Sequence, residues 1–167
     1  MSLGICKILA EKWNASVEDA IIAGLLHDIG KSQSKQEMLS LCMQNNITIY
    51  DFELWGNVIA LHGKIGSLLF AKEFNKNEPE RFNQISHAIS FHVAGGEQMN
   101  LLDKIVFIAD NIEPNKDSDL YKKFKLDSID SPDEYLKLLI DKKIARSITK
   151  KRELNPMTQA AKEALER

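Results

Sequence analysis

The stretch Ala20-Ile21-Ile22-Ala23-Gly24-Leu25-Leu26-His27-Asp28-Ile29-Gly30-Lys31 decides how the rest of the chain is read. Its first seven residues are apolar nearly all round, which predicts a helix buried at the centre of the molecule rather than an amphipathic surface helix. Ser16-Val17-Glu18-Asp19 ahead of it is a capping-box signature, and Gly30 reads as its terminator. The apolar run ends on an imidazole and a carboxylate. A buried aspartate is costly unless it is paired or bound to a cation, and adjacent His27 and Asp28 offer a nitrogen and an oxygen ligand together. Taken alone, the doublet is explained as well by a local capping pair.

Working outward, the pattern stays helical. Ile5, Ile8, Leu9 and Trp13 recur at helical spacing, so the chain begins inside its first helix, Gly4 to Trp13. Further helices are expected at Glu37–Gln44, Asn57–Phe74 with an interruption at Gly63 or Gly66, Pro79–His92 and Asn100–Ile112. A long one follows from Ser131 to Lys150, and a short one from Thr158 to Glu166. Ile47–Trp55 reads as a loop with a short helix from Asp51; 75–78 and 115–119 read as polar turns. With no period-2 strands and no internal repeat, the fold class is all-α: one helical bundle over residues 1–167, with 131–167 as C-terminal helices packed on it.

The bulk numbers narrow the function classes. A net charge of -2 leaves no global basic field to gather nucleic acid, and the short run Lys150-Lys151-Arg152 reads as a solvated face. No apolar run approaches the roughly 20 residues of a membrane span. Cys6 and Cys42 have no metal or redox spacing and read as buried thiols of a reducing compartment, so a cytoplasmic protein is expected.

Three more polar residues stand where apolar ones are expected. His62 closes Val58-Ile59-Ala60-Leu61-His62, His92 closes Ala88-Ile89-Ser90-Phe91-His92, and Asp110 closes Ile105-Val106-Phe107-Ile108-Ala109-Asp110. Each alone is commonly a satisfied buried polar group. Together with His27-Asp28 they are what a helical bundle needs to converge nitrogen and oxygen ligands on one cavity. Lys31 follows Asp28 by three residues, on the same side if the helix continues, as a cation for a substrate phosphate or as a solvated helix-end lysine. His87 lies about 140° around a helix from His92, so both cannot face one cavity; His92 is the candidate and His87 reads as a surface or supporting residue.

In this order the residues resemble the HD superfamily of metal-dependent phosphohydrolases, whose pattern is His…His-Asp…His…His…Asp. The resemblance is greatest to the bacterial subgroup that cleaves diadenosine tetraphosphate symmetrically to two ADP. It rests on Ala23 to Lys31, Leu61-His-Gly-Lys-Ile-Gly66, Ala88 to His92, Met99 to Lys104, Ile108-Ala-Asp-Asn-Ile-Glu-Pro114 and Asn155-Pro-Met-Thr158. It implies an HD-domain helical bundle, with His27, Asp28, His62, His92 and Asp110 holding two divalent metals, Asp28 bridging. Iron is implied, with manganese or cobalt as substitutes. It also implies Asp28 and Lys31 in catalysis, Lys31, His62, Gly63 and Gly95 at the nucleotide substrate, and a homodimer. Three departures stand against the pattern. Met1 occupies the position of the first histidine, so one metal is expected to be weakly held. Val93-Ala94-Gly95 replaces Thr-Thr-Gly, and Asn115-Lys116 stands where an arginine follows Glu113-Pro114. The competing expectations are another nucleotide phosphohydrolase or phosphodiesterase on the same scaffold, and a degenerate nucleotide-binding module.

Overall fold

A computed structural model describes residues 2–74, 78–113 and 130–167. Position 1, residues 75–77 of the turn expected at 75–78 and the turn expected at 115–119 lie outside the described residues, as does the Asn115-Lys116 departure. The helices are α1 (Ser2–Lys12), α2 (Val17–Leu26), α3 (Lys35–Gln44), α4 (His62–Phe74), α5 (Pro79–Phe91), α6 (Leu101–Asn111), α7 (Pro132–Thr149) and α8 (Pro156–Leu165). A 3-10 segment, Ile29–Ser32, follows α2, and a π-helical turn, Phe52–Gly56, and a second 3-10 segment, Val58–Leu61, precede α4. No strand occurs among the described residues, and none of their helices is long and apolar enough to cross a membrane.

Short polar side chains set most helix starts. Ser16, Ser34, Asn100, Ser131 and Asn155 each accept a hydrogen bond from an amide of the first turn, and Ser34–Glu37 and Asn100–Asp103 are reciprocal capping boxes. Pro79, Pro132 and Pro156 occupy first-turn positions, where a missing amide hydrogen costs nothing.

The central helix is α6, not α2. From Leu102 to Ala109 α6 is buried except at Lys104, and it packs against α1, α2, α5 and α7. In α2 only the small residues Ala20, Ala23 and Gly24 are buried, while Leu25 is 68% exposed. The small face lets α1 approach: a Cβ on Gly24 would stand 2.7 Å from Cys6 Sγ. Leu136, Leu139, Ile140 and Ala161 join the same core, so α7 and α8 pack onto it. A second cluster, Met38, Cys42, Leu61 and Ile65, seats α3 against the start of α4. Both cysteines are free and buried, and burial pushes the Cys6 thiol up to about 12.

Two local expectations change. The helix through Gly63 and Gly66 is unbroken; the irregularity lies before it, where the 3-10 segment runs into His62. Gly30 does not terminate α2, which ends at Leu26. It sits in the following 3-10 segment, where a Cβ would collide with the His62 carbonyl and stand 2.8 Å from the Gly66 amide nitrogen. The glycine is there for the close approach of two backbones.

Candidate metal centre

Four chain segments deliver the polar residues to one point. His27 caps the C-terminus of α2, His92 caps that of α5, and Asp110 lies in the last turn of α6. His62 opens α4 rather than closing a helix, because the apolar run before it is the short 3-10 segment. Three helix C-termini therefore aim the negative ends of their dipoles at the site, which favours a cation there.

The three imidazoles are held in the same way. Nδ1 of His27, His62 and His92 lies 2.8, 2.6 and 2.6 Å from the carbonyl oxygens of Gly24, Ile59 and Ile89, each three residues earlier. A carbonyl only accepts, so Nδ1 carries a proton, and each ring, when neutral, turns its Nε2 lone pair inward. The inward atoms then crowd together. Nε2 of His62 and His92 are 3.0 Å apart, and both face Asp28 Oδ1, at 3.3 and 3.5 Å. Nε2 of His27 is 3.5 Å from Asp28 Oδ2 and 3.2 Å from Asp110 Oδ1. Asp28 Oδ1 is buried without a hydrogen-bond partner. Lone pairs facing lone pairs around a carboxylate repel unless a cation lies among them, so the donor set fits a divalent metal. His27, Asp28 and His92 present ligand atoms all within 4.8 Å of one another.

The electrostatics favours the neutral ring at His92 and the charged ring at His27, beside an ionised Asp28. Burial alone would raise Asp28, but its contacts with His62, His92, Lys31 and His27 hold it well below the usual carboxylate range. Burial keeps His92 low and therefore neutral. Burial acts the same way on His27, yet its hydrogen bond with Asp110, with Gly24 and Asp28 adding, draws it above the ordinary histidine value. The histidines are buried and Asp28 half-buried, 37% exposed, so the centre opens on the Asp28 side. Lys31 stands at that opening with Nζ 2.6 Å from Asp28 Oδ2. It reaches this position through the 3-10 segment, not through a continued helix.

Gly63 and Gly95 have packing roles. Gly63 is buried between α4 and α5, where a Cβ would come 2.8 Å from both Ser90 O and Val93 Cγ2. Gly95 takes a left-handed φ of 73°, its amide donates to the Phe91 carbonyl at 2.8 Å, and a Cβ would meet Ala161, Ile140 and Met99. His87 is not at the centre: its Nδ1 is 2.8 Å from Oδ2 of the fully buried Asp103, and its ring stacks on Phe91.

Sequence reading missed one supporting pair. Glu53, 1% exposed, accepts from the Tyr50 amide at 2.9 Å and from Lys64 Nζ at 2.7 Å, while Lys64 also donates to the Thr48 carbonyl at 2.8 Å. The pair ties the loop before His62 to the first turn of α4. An apolar substitute for Lys64 leaves a buried charge unpaired, so Lys64→Met is expected to destabilise by about 3 kcal/mol, with Glu53→Gln in the same chain recovering much of it. Urea unfolding midpoints of the two single variants and the double variant check this.

Residues 1–115 match the family model of the HD domain. The chain is 32% identical over 112 residues to the symmetrical bis(5'-nucleosyl)-tetraphosphatase of Bacillus subtilis (strain 168), covering 65% of this chain and 55% of that protein. The protein of the same description from Staphylococcus aureus is 30% identical over 112 residues, covering 65% of this chain and 53% of the other. The chain thus spans about half the length of the curated relatives it matches. The crystal structure of a protein from Clostridium acetobutylicum, described as a predicted HD superfamily hydrolase involved in NAD metabolism, superposes with a TM-score of 0.86 at 27% identity, covering 98% of this chain and 84% of that one. HD domains bind divalent metals, and the convergence of histidines on Asp28 is a site built for one. On the family model, which takes in more than half of its residues, this chain belongs to the HD domain family.

Proposed function

We propose that this chain is a metal-dependent phosphohydrolase that splits diadenosine tetraphosphate into two ADP, with the metal held by His27, Asp28, His62, His92 and Asp110. The observation that carries this reading is the unpartnered Asp28 Oδ1 facing the inward Nε2 atoms of His62 and His92. The names of the curated relatives supply the substrate class. Iron is the favoured metal, with manganese or cobalt as substitutes, and Asp28, whose two oxygens face different histidines, would be the ligand common to both ions if two bind. When bound, the metal supplies a Lewis acid for phosphate and a nucleophilic water near neutral pH.

The chain's own residues do the rest. The Nδ1–carbonyl bonds hold each imidazole in one tautomer and one orientation, so no reorganisation is needed as substrate binds. Lys31, at the open side, pairs with Asp28 and offers its remaining donors to a phosphate oxygen. The start of α4 presents the positive end of its dipole beside the same centre, which favours the phosphate rather than the metal. All five proposed donors belong to this one chain. Residues 1–167 work as one domain in this reading, in the reducing compartment that suits two free buried thiols.

The test is product analysis by anion-exchange chromatography after iron, manganese or cobalt loading, with metal content measured on the same sample. Two ADP per diadenosine tetraphosphate is the expected result. Absence of bound transition metal together with no hydrolysis of any dinucleoside polyphosphate would sink the proposal. The description of the Clostridium protein favours a second reading, another nucleotide as substrate; turnover of a mononucleotide or dinucleotide cofactor in preference to diadenosine tetraphosphate would select it.

A further inference from the structure

A cavity of about 230 Å³ lies beside the metal centre, between the segment 52–60 on one side and α7–α8 on the other. Its near wall is made by residues attached directly to the site: Ala60, two before His62, and Val93 and Ala94, the two after His92. Its far wall is the face of α7 that carries Lys143, Arg146 and Ser147, neighbours on a helix at spacings of three and four. Among the described residues, no carboxylate lines it. Two other cavities of similar size do hold carboxylates, Glu97 and Asp133 in one and Asp19 in the other. In a chain of net charge -2, a cavity whose described lining holds two cations and no acid favours an anion beside the metal centre.

The cavity is also fixed to the centre. Lys143 Nζ donates to the Val93 carbonyl at 2.9 Å, and the buried hydroxyl of Thr158 donates to the Ala94 carbonyl at 2.9 Å. These bonds from α7 and α8 occupy the carbonyls that follow His92, so cavity wall and imidazole move as one unit. The turn that ends α7 carries Lys150, Lys151 and Arg152 just before Leu154 and Asn155, which line the cavity, and Arg146 is exposed on its rim.

The two nucleoside halves of a dinucleoside polyphosphate cannot both lie on the metals. Resting on the function proposed above, we propose that this cavity is the subsite for the distal nucleoside diphosphate half of the substrate, with Arg146 as its phosphate-binding residue. A guanidinium suits this because it binds phosphate oxygens two at a time and does not deprotonate. Phe52, on the opposite wall, offers an aromatic surface to the nucleoside.

The experiment measures ADP affinity by isothermal titration calorimetry on metal-loaded protein, for wild type, Arg146→Glu, Arg146→Lys and the charge-matched control Lys72→Glu at the far end of α4. Turnover of diadenosine tetraphosphate is measured on the same samples. Arg146→Glu is expected to weaken ADP binding at least tenfold and to lower kcat/KM by a similar factor, with metal content unchanged. Arg146→Lys should lose less, and Lys72→Glu should bind ADP as wild type does. Equal ADP affinities in wild type and Arg146→Glu, or no ADP binding by wild type, would overturn the subsite. Wild-type protein that binds ADP through Arg146 but hydrolyses no dinucleotide overturns the proposed activity and leaves the subsite standing.

Discussion

Asp28→Asn protein is expected to retain less than about a tenth of the metal held by wild type and to lose about a thousandfold or more in kcat, because the substitution removes the one negative charge that faces all three imidazoles. The amide keeps the shape of the carboxylate, so the fold is expected to survive. In wild type the carboxylate is ionised far below neutral pH, and its buried Oδ1 has no hydrogen-bond donor. That atom is the energetic reason for a cation to bind. Neutralising it leaves His62 and His92 with no carboxylate facing their Nε2 atoms, and Asp110 alone facing His27. Elemental analysis and turnover measured on one sample check both parts. Full metal content in Asp28→Asn would mean that Asp28 is not a ligand. The same logic predicts that chelation lowers the melting temperature of wild type and leaves that of Asp28→Asn unchanged, since a ligand that binds only the folded state stabilises it.

Gly30→Ala is expected to destabilise the protein by about 3 kcal/mol, near the upper end of what overpacking costs. The added methyl meets backbone on the far side, the His62 carbonyl and the Gly66 amide, and neither can rotate away as a side chain would. Relief requires the 3-10 segment and α4 to separate, and His62 and Lys31 ride on those two elements. A loss of metal affinity should therefore accompany the fall in stability. Gly4→Ala is the matched control. It lies in α1 with open space around its Cβ position, so the same substitution is expected to stabilise by about 0.5–1 kcal/mol through helix propensity. Chemical denaturation of the two variants should move in opposite directions. A neutral Gly30→Ala would mean that the two backbones do not approach as the structure has them.

Most helices of the fold are legible because their signals are local. Caps such as Ser131, ahead of Pro132-Asp133-Glu134, and first-turn prolines act within four residues, and apolar spacing marks each helix between them. The candidate ligands are legible as a set: one imidazole or carboxylate ending an apolar run is commonly a satisfied buried polar group, but four such runs ending alike point to one cavity. Even the tautomer of each histidine is set locally, by a carbonyl three residues back.

What lies across the chain is not legible. Periodicity reports that α2 is apolar but not which neighbour covers it, so Leu25 reads as core and is exposed, while α6 takes the centre. Glu53 is buried against Lys64, eleven residues away, and Asp103 against His87, sixteen away, separations that no local pattern reports. Gly30 reads as a helix end because its actual constraint, the backbone of α4, is more than thirty residues distant in sequence. The sequence by itself determined the helices and nominated His27, Asp28, His62, His92 and Asp110. Only the tertiary structure decided that their donor atoms meet, because convergence depends on how four helix ends are aimed at one another, and that is set by packing between segments far apart in the chain.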